Sequence, residues 1–127
     1  MNPGYILVVD DEPDILRIMS KLLGELGLRV ITADTGEKSL DLLAHAGPEL
    51  RLVILDMVLN DMSGIEVLQR IQRLKPSLPV LFVSGQDFQY QNRELLGQGA
   101  AGFLGKPFSL NDLKMKVLQL IQRSGDN

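Results

Sequence analysis

Short runs of apolar residues recur along the chain at similar spacing. They span residues 5–9, 28–33, 52–55, 80–83 and 101–104. The first, third and fourth runs are continuously apolar, which is typical of strands buried on both faces of a parallel sheet. The second run alternates more between polar and apolar residues, which favours a strand nearer the edge of the sheet.

A helical pattern follows each apolar run. The first has apolar residues at intervals of three and four from Ile15 to Leu26, with Pro13 suited to its first turn and Gly27 to its end. Further helices are predicted over 36–46, 64–74, 89–96 and 110–121. The helix over 89–96 has the weakest apolar face, and Ser109 or Asn111 is expected to cap the last helix.

Five βα units in succession predict an α/β fold with right-handed crossovers. For a chain of 127 residues, the natural arrangement is a flavodoxin-like, doubly wound, five-stranded parallel sheet of order 2-1-3-4-5 with five helices. We expect a single domain over residues 1–127, with its core between about 5 and 121.

Composition narrows the possible chemistry. The chain has no cysteine, which excludes disulfides and thiolate sites, and its one histidine, His45, excludes a multi-histidine metal site. We expect His45 to interact with the C-terminal end of the second helix. The net charge of −3 argues against direct nucleic acid binding, and the short apolar runs exclude a membrane span. These features, without a secretory signal, favour a cytoplasmic protein.

Polar side chains follow four of the predicted strands. Asp10 and Asp11 follow the first strand, Asp56 the third, Ser84 the fourth and Lys106 the fifth. Because the carboxyl ends of parallel strands meet at one edge, we expect these side chains to converge there. Clustered carboxylates beside one lysine suit Mg²⁺ (or Mn²⁺), and the set is suited to receive a phosphoryl group.

With these residues at its strand ends, the chain resembles the receiver domain of two-component response regulators over about residues 5–121. The residues that carry the resemblance are Asp10–Asp11, Asp56, Ser84–Gly85 and Lys106–Pro107–Phe108. The resemblance implies that Asp56 is the phosphoacceptor, with a histidine kinase or phosphotransfer domain as donor. It also implies Mg²⁺ ligation by Asp11, Asp56 and the backbone carbonyl of Val58, with Asp10 in the outer shell.

The resemblance implies a switch as well. Ser84 would bond a phosphoryl oxygen and shift inward, while the aromatic ring of Phe103 would swing inward with it. Lys106 would contact the phosphoryl group, and its peptide bond to Pro107 would be cis. The signal would reach an output domain or target protein through the surface formed by the helix over 89–96, the fifth strand and the last helix. Phosphorylation-dependent homodimers would be compatible with this scheme.

Three departures from the family pattern stand out. The segment 59–64 lacks the usual proline, which puts the rigidity of this loop in question. Phe103 lacks the tyrosine hydroxyl that is common at the switch position. Ser84 followed by Gly85 resembles the receivers of hybrid sensor histidine kinases. Because 127 residues leave no room for an output domain, the chain is expected to be either a stand-alone receiver or a segment of a longer regulator or hybrid kinase.

Other functions on the same fold are less well supported. A flavodoxin-like FMN-binding protein needs an anion-binding loop after the first strand, where this chain has Asp10, Asp11 and Glu12. A haloacid-dehalogenase-type phosphatase would need an Asp-x-Asp pattern there. A receiver-like interaction module that is not phosphorylated remains the alternative. We expect no enzymatic activity beyond the domain's own phosphorylation and dephosphorylation.

Overall fold

The computed structural model describes residues 4–85 and 99–125, and strands and helices alternate over these ranges. The strands are β1 (Tyr5–Val9), β2 (Arg29–Ala33), β3 (Leu50–Asp56), β4 (Val80–Ser84) and β5 (Gly102–Gly105), and the helices are α1 (Pro13–Glu25), α2 (Gly36–Ala44), α3 (Gly64–Leu74) and α4 (Leu110–Gly125). The helix predicted over 89–96 lies outside the described residues.

All five strands are parallel and lie in the order β2-β1-β3-β4-β5, which confirms the predicted fold. Two apolar clusters cover the two faces of this sheet. One face packs against α2 and α3 through Leu43, Val67 and Ile71, and the other packs against α1 and α4 through Leu23 and Val117. The central strands are therefore buried on both faces, as their unbroken apolar sequences require.

The second strand lies at an edge of the sheet, where Arg29 and Thr32 are exposed and the two residues between them are half-buried. The third strand is longer than the apolar run predicted, because it begins at Leu50 rather than at Leu52. Leu50 pairs with Tyr5 across a register irregularity, and the regular pairing of β1 with β3 resumes at Ile6 and Leu52. Apolar periodicity did not reveal this extension, since Arg51 interrupts the run.

Local capping accounts for where the helices begin. Pro13 occupies the first turn of α1, and Thr35 accepts a hydrogen bond from the Lys38 N–H at the start of α2. Ser109 caps α4 by accepting from the Asp112 N–H at 3.0 Å, which settles the choice between Ser109 and Asn111. The second helix ends at Ala44, two residues earlier than predicted.

His45 is the residue that follows α2, and its Nδ1 lies 2.9 Å from the Asp41 carbonyl oxygen. The ring therefore contacts the C-terminal carbonyl end of the helix. None of the helices in the described part of the chain combines the length and apolarity needed to cross a membrane.

Candidate functional site

The carboxyl ends of β1 and β3 bring three aspartates together. Val9 and Leu55 are paired in the sheet, so Asp10 and Asp56 follow at neighbouring strand ends. Their side chains are buried, with only 2% of Asp10 and 7% of Asp56 exposed. One carboxylate oxygen from each of Asp10, Asp11 and Asp56 lies within 4.8 Å of the others. The predicted acidic cluster therefore forms in the structure.

Lys106, which follows β5, lies between two of these carboxylates. Its Nζ is 3.4 Å from Asp10 Oδ2 and 3.5 Å from Asp56 Oδ2. The remaining oxygens accept backbone hydrogen bonds: Asp10 Oδ1 from the Glu12 N–H at 2.9 Å, and Asp56 Oδ1 from the Val58 N–H at 3.2 Å. One cation and two amides thus face three carboxylates, which leaves negative charge in excess.

The surroundings shift the pKa values of two of these groups, Asp56 and Lys106. Burial raises the pKa of Asp56, and the charge of Asp10 adds to this, while the Val58 N–H and the ammonium group of Lys106 oppose it. For Lys106, burial lowers the pKa, but the charges of Asp56 and Asp10 outweigh burial, so the pKa lies above its ordinary value. The lysine is therefore held as a cation beside carboxylates that repel one another.

The donor set fits a hard divalent cation. Carboxylate and carbonyl oxygens are the ligands that Mg²⁺ prefers. Lys106 supplies one positive charge beside three clustered carboxylates, so a cation would offset the remaining negative charge. Asp11 is half-buried, whereas Asp10 and Asp56 are buried. Val58 donates its N–H to Asp56, so its backbone lies against the same carboxylate.

The other predicted residues lie at the same edge of the sheet. Ser84 ends β4 and pairs with Gly105, and its carbonyl oxygen accepts from the Lys106 N–H at 2.6 Å. The Lys106–Pro107 peptide bond is cis. The backbone of Ser84 therefore contacts the residue that carries the site lysine.

Phe103 lies on β5, which β4 separates from the strands that carry the acidic cluster. Its half-buried ring stacks on Phe82, with centroids 6.2 Å apart and planes inclined by 17°. Both rings pack with the core on the α2 and α3 face of the sheet. The structure thus places the predicted switch aromatic against the core, next to the strand that ends at Ser84.

Asp61, in the loop between β3 and α3, has a role that the sequence did not reveal. Its carboxylate accepts from the Gly36 N–H at 2.8 Å and from the Glu37 N–H at 2.9 Å, at the start of α2. These two amides lower the pKa of Asp61. No local signal in the sequence could identify this contact, since the partners lie 25 and 24 residues away along the chain.

Comparison with known proteins gives a consistent result. Residues 6–118 match the family model described as "Response regulator receiver domain". The probable transcriptional regulatory protein TcrX of Mycobacterium tuberculosis is 32% identical over 98% of this chain and 52% of its own length. The alkaline phosphatase synthesis transcriptional regulatory protein PhoP of Bacillus subtilis is 34% identical over 94% of this chain and 49% of its own length. The chain thus spans about half the length of these curated relatives.

Solved structures give the same picture. A response regulator receiver domain protein from Clostridium thermocellum superposes with a TM-score of 0.90 at 29% identity, covering 96% of this chain and 97% of that one. NtrX from Brucella abortus, solved in complex with ATP, superposes with a TM-score of 0.89 at 30% identity, covering 98% of this chain and 28% of that one.

Proposed function

The chain belongs to the response regulator receiver domain family of two-component systems, and from this we propose that it accepts a phosphoryl group on Asp56. The observation that carries the proposal is the buried carboxylate of Asp56, with Asp10 and Lys106 beside it and an excess of negative charge around it. A structural carboxylate gains nothing from such surroundings, whereas functional sites collect perturbed groups of this kind.

In the proposed transfer, an oxygen of Asp56 attacks the phosphorus of a phosphohistidine on a histidine kinase or phosphotransfer domain. The phosphorus–nitrogen bond breaks, and its electron pair stays with the imidazole, which leaves as a neutral group because its other nitrogen carries a proton. Lys106 stabilises the charge on the phosphoryl oxygens, since it is held as a cation within 3.5 Å of the attacking carboxylate.

Asp11, Asp56 and the Val58 carbonyl would hold Mg²⁺, with Asp10 acting from the outer shell. When bound, the ion supplies the positive charge that offsets the carboxylates and the phosphoryl oxygens. Asp10 contributes by accepting the Glu12 N–H and pairing with Lys106, which fixes both groups at the site. The domain has no other substrate in this scheme, so it acts only in its own phosphorylation and dephosphorylation.

The output is a change of conformation. The hydroxyl of Ser84 donates a hydrogen bond to a phosphoryl oxygen, which draws the end of β4 toward Asp56 and shifts an existing equilibrium. Phe103 responds because its ring packs on Phe82, which lies on β4 together with Ser84. An output domain or target protein then reads the surface formed by β5 and α4, in the cytoplasm; the helix predicted over 89–96 as a further part of this surface lies outside the described residues. A phosphorylation-dependent homodimer is compatible with this scheme.

Intact-mass measurement after incubation with acetyl phosphate tests this function. With Mg²⁺ we expect the mass of one phosphoryl group to be added, and hydroxylamine to remove it. The adduct should be absent without Mg²⁺ and absent in Asp56→Asn. Asp41→Asn, which changes an exposed aspartate on α2, is the matched control and should keep the adduct.

Two results would contradict the proposal. An adduct that persists in Asp56→Asn would identify a different acceptor. A chain that neither binds Mg²⁺ in a titration nor accepts phosphate from acetyl phosphate or a phosphorylated kinase would be an interaction module that retains only the receiver fold.

A further inference from the structure

Residues 57–63 form the loop between β3 and α3. This loop begins beside the acidic cluster and contacts the start of α2. Asp61 in this loop accepts hydrogen bonds from the Gly36 and Glu37 N–H groups, at 2.8 and 2.9 Å. These amides belong to the first turn of α2, where backbone donors have no partner within the helix and the helix dipole favours an anion. We call this pair of hydrogen bonds the Asp61 tether.

A second contact holds the same loop against the same helix. Gly36 lies so close to Met62 that a Cβ at position 36 would overlap the thioether group, and it would also crowd Val67 at 3.1 Å. Gly36 itself is buried. Close packing therefore accompanies the tether, and a larger residue at position 36 would force the Met62 side chain to move.

The other end of the loop lies at the acidic cluster. Val58 donates its N–H to Asp56 at 3.2 Å and pairs with Ser63 in an isolated antiparallel bridge. The Gly64 N–H donates to the Met57 carbonyl at 2.8 Å and closes the base of the loop. Residues 59–62 span the turn between these contacts, and within them Leu59 is buried while Asp61 reaches α2.

From this arrangement we propose that Asp61 is a positioning residue for the metal-binding edge of the site. The tether fixes the turn that starts at Val58, and thereby the direction of the Val58 carbonyl. The tether restrains a turn that contains Asn60, whose φ is free where a proline would fix it. The inference rests on the proposed function, since it assigns the Val58 carbonyl to Mg²⁺.

Calorimetric titration of Mg²⁺ into the whole chain tests the inference. Residues that orient metal ligands typically change affinity by about 10- to 100-fold. Because Asp61 acts on one carbonyl ligand, we expect Asp61→Ala to weaken Mg²⁺ binding by about three- to tenfold. Asp61→Asn keeps one acceptor oxygen and should lose less. Adding Asn60→Pro to Asp61→Ala should restore most of the affinity.

Thr35→Ala is the matched control. It removes the other cap of α2, the hydrogen bond to the Lys38 N–H, without touching the loop. Both single variants should lower the melting temperature, but Thr35→Ala should leave Mg²⁺ affinity unchanged. If both variants weaken binding equally, or if Asn60→Pro rescues nothing, the tether stabilises α2 only and the inference is wrong.

Amide hydrogen exchange without Mg²⁺ gives a readout that does not depend on the ion. Asp61→Ala should speed exchange at Val58 and Gly64, whereas Thr35→Ala should not. Unchanged exchange at these amides would overturn the inference even if the proposed function holds. A wild-type chain that binds no Mg²⁺ would instead overturn the proposed function, and the exchange result would still decide whether Asp61 stiffens the loop.

Discussion

Asp56 and Asp61 lie in the same short stretch of chain, yet their surroundings affect them in opposite ways. Burial and the neighbouring charge of Asp10 raise the pKa of Asp56. Two helix N–H groups lower the pKa of Asp61, which is exposed. A buried carboxylate is thus held where ionisation is unfavourable, and an exposed one where it is favourable.

The difference separates the proposed phosphoacceptor from the carboxylate that holds the neighbouring loop against α2. Asp56 loses hydration and faces a like charge, so its ionised form destabilises the folded chain. Asp61 accepts hydrogen bonds from two N–H groups of α2 that would otherwise be left to water, so its ionised form stabilises the fold. The loop between them connects a destabilising site to a stabilising contact, which is the pattern expected where function and stability compete.

The largest expected effect comes from displacing the base of the loop that carries Asp61, next to the end of β3. In Gly64→Ala the new Cβ would lie 2.7 Å from Met57 Cα and 2.8 Å from the Asp56 carbonyl oxygen, so backbone must move. Overpacking of this kind costs roughly 1–3 kcal/mol, and the contact with backbone places this variant at about 2–3 kcal/mol. Urea denaturation measures the loss, and phosphoryl uptake should fall with it because the end of β3 is displaced.

Gly24→Ala is the matched control for that variant. Gly24 lies in α1, and a Cβ added there would meet no neighbouring element within 4 Å, so alanine should raise the free energy of unfolding by about 0.5–1 kcal/mol. Equal effects of the two substitutions would show that the close approach at Gly64 does not constrain the site.

Neutralising the destabilising carboxylate should give the next effect in size. Asp56→Asn removes a buried charge beside Asp10, while Lys106 keeps Asp10 as its partner. Without Mg²⁺ at neutral pH, we expect the free energy of unfolding to rise by about 1–2 kcal/mol, in the range of substitutions that relieve a functional site. Thermal and urea denaturation measure the change.

The sign follows from linkage. The folded chain holds the Asp56 proton more tightly than the unfolded chain, so stability falls as pH rises through the raised pKa, and asparagine avoids this loss. Asp41→Asn, an exposed change, should stay within about 0.5 kcal/mol of the wild type. A destabilised Asp56→Asn variant would mean that the carboxylate contributes more to the fold than its surroundings indicate.

The smallest effect concerns the pH dependence of the Asp61 contact. Because its folded pKa lies below the ordinary value of 3.8, the unfolded chain takes up the proton first as pH falls. The stabilisation by Asp61 is therefore complete well above 3.8 and is lost as pH falls through the lowered value. The stability difference between wild type and Asp61→Asn should shrink as pH falls from about 5 to below the ordinary value of 3.8.

Urea denaturation across that pH range measures this difference, with Asp41→Asn as the control on the same helix. A gap between wild type and Asp61→Asn that stays constant down to the lowest pH would show that the carboxylate charge contributes nothing at the start of α2.

Much of this molecule follows from local pattern. Continuous apolar runs predicted the buried strands, and the alternating run around Val30 and Ile31 predicted the edge strand β2. The site residues were found because parallel strands end at a common edge, so Asp10 and Asp56 had to meet once the sheet order was correct. The family pattern then supplied roles that the residue types alone do not specify.

The tertiary structure decided what depends on residues that are distant in sequence. The start of β3 at Leu50, the stacking of Phe103 on Phe82, and the contact of Asp61 with α2 each depend on which element lies beside which, and at what register. Apolar periodicity predicts the face of a helix or strand on which a residue lies. The position of a residue at the end of a strand predicts the edge of the sheet at which that residue lies. A carboxylate that satisfies donors 24 and 25 residues away leaves no periodic trace, because its partner is fixed only when the loop and the helix pack together.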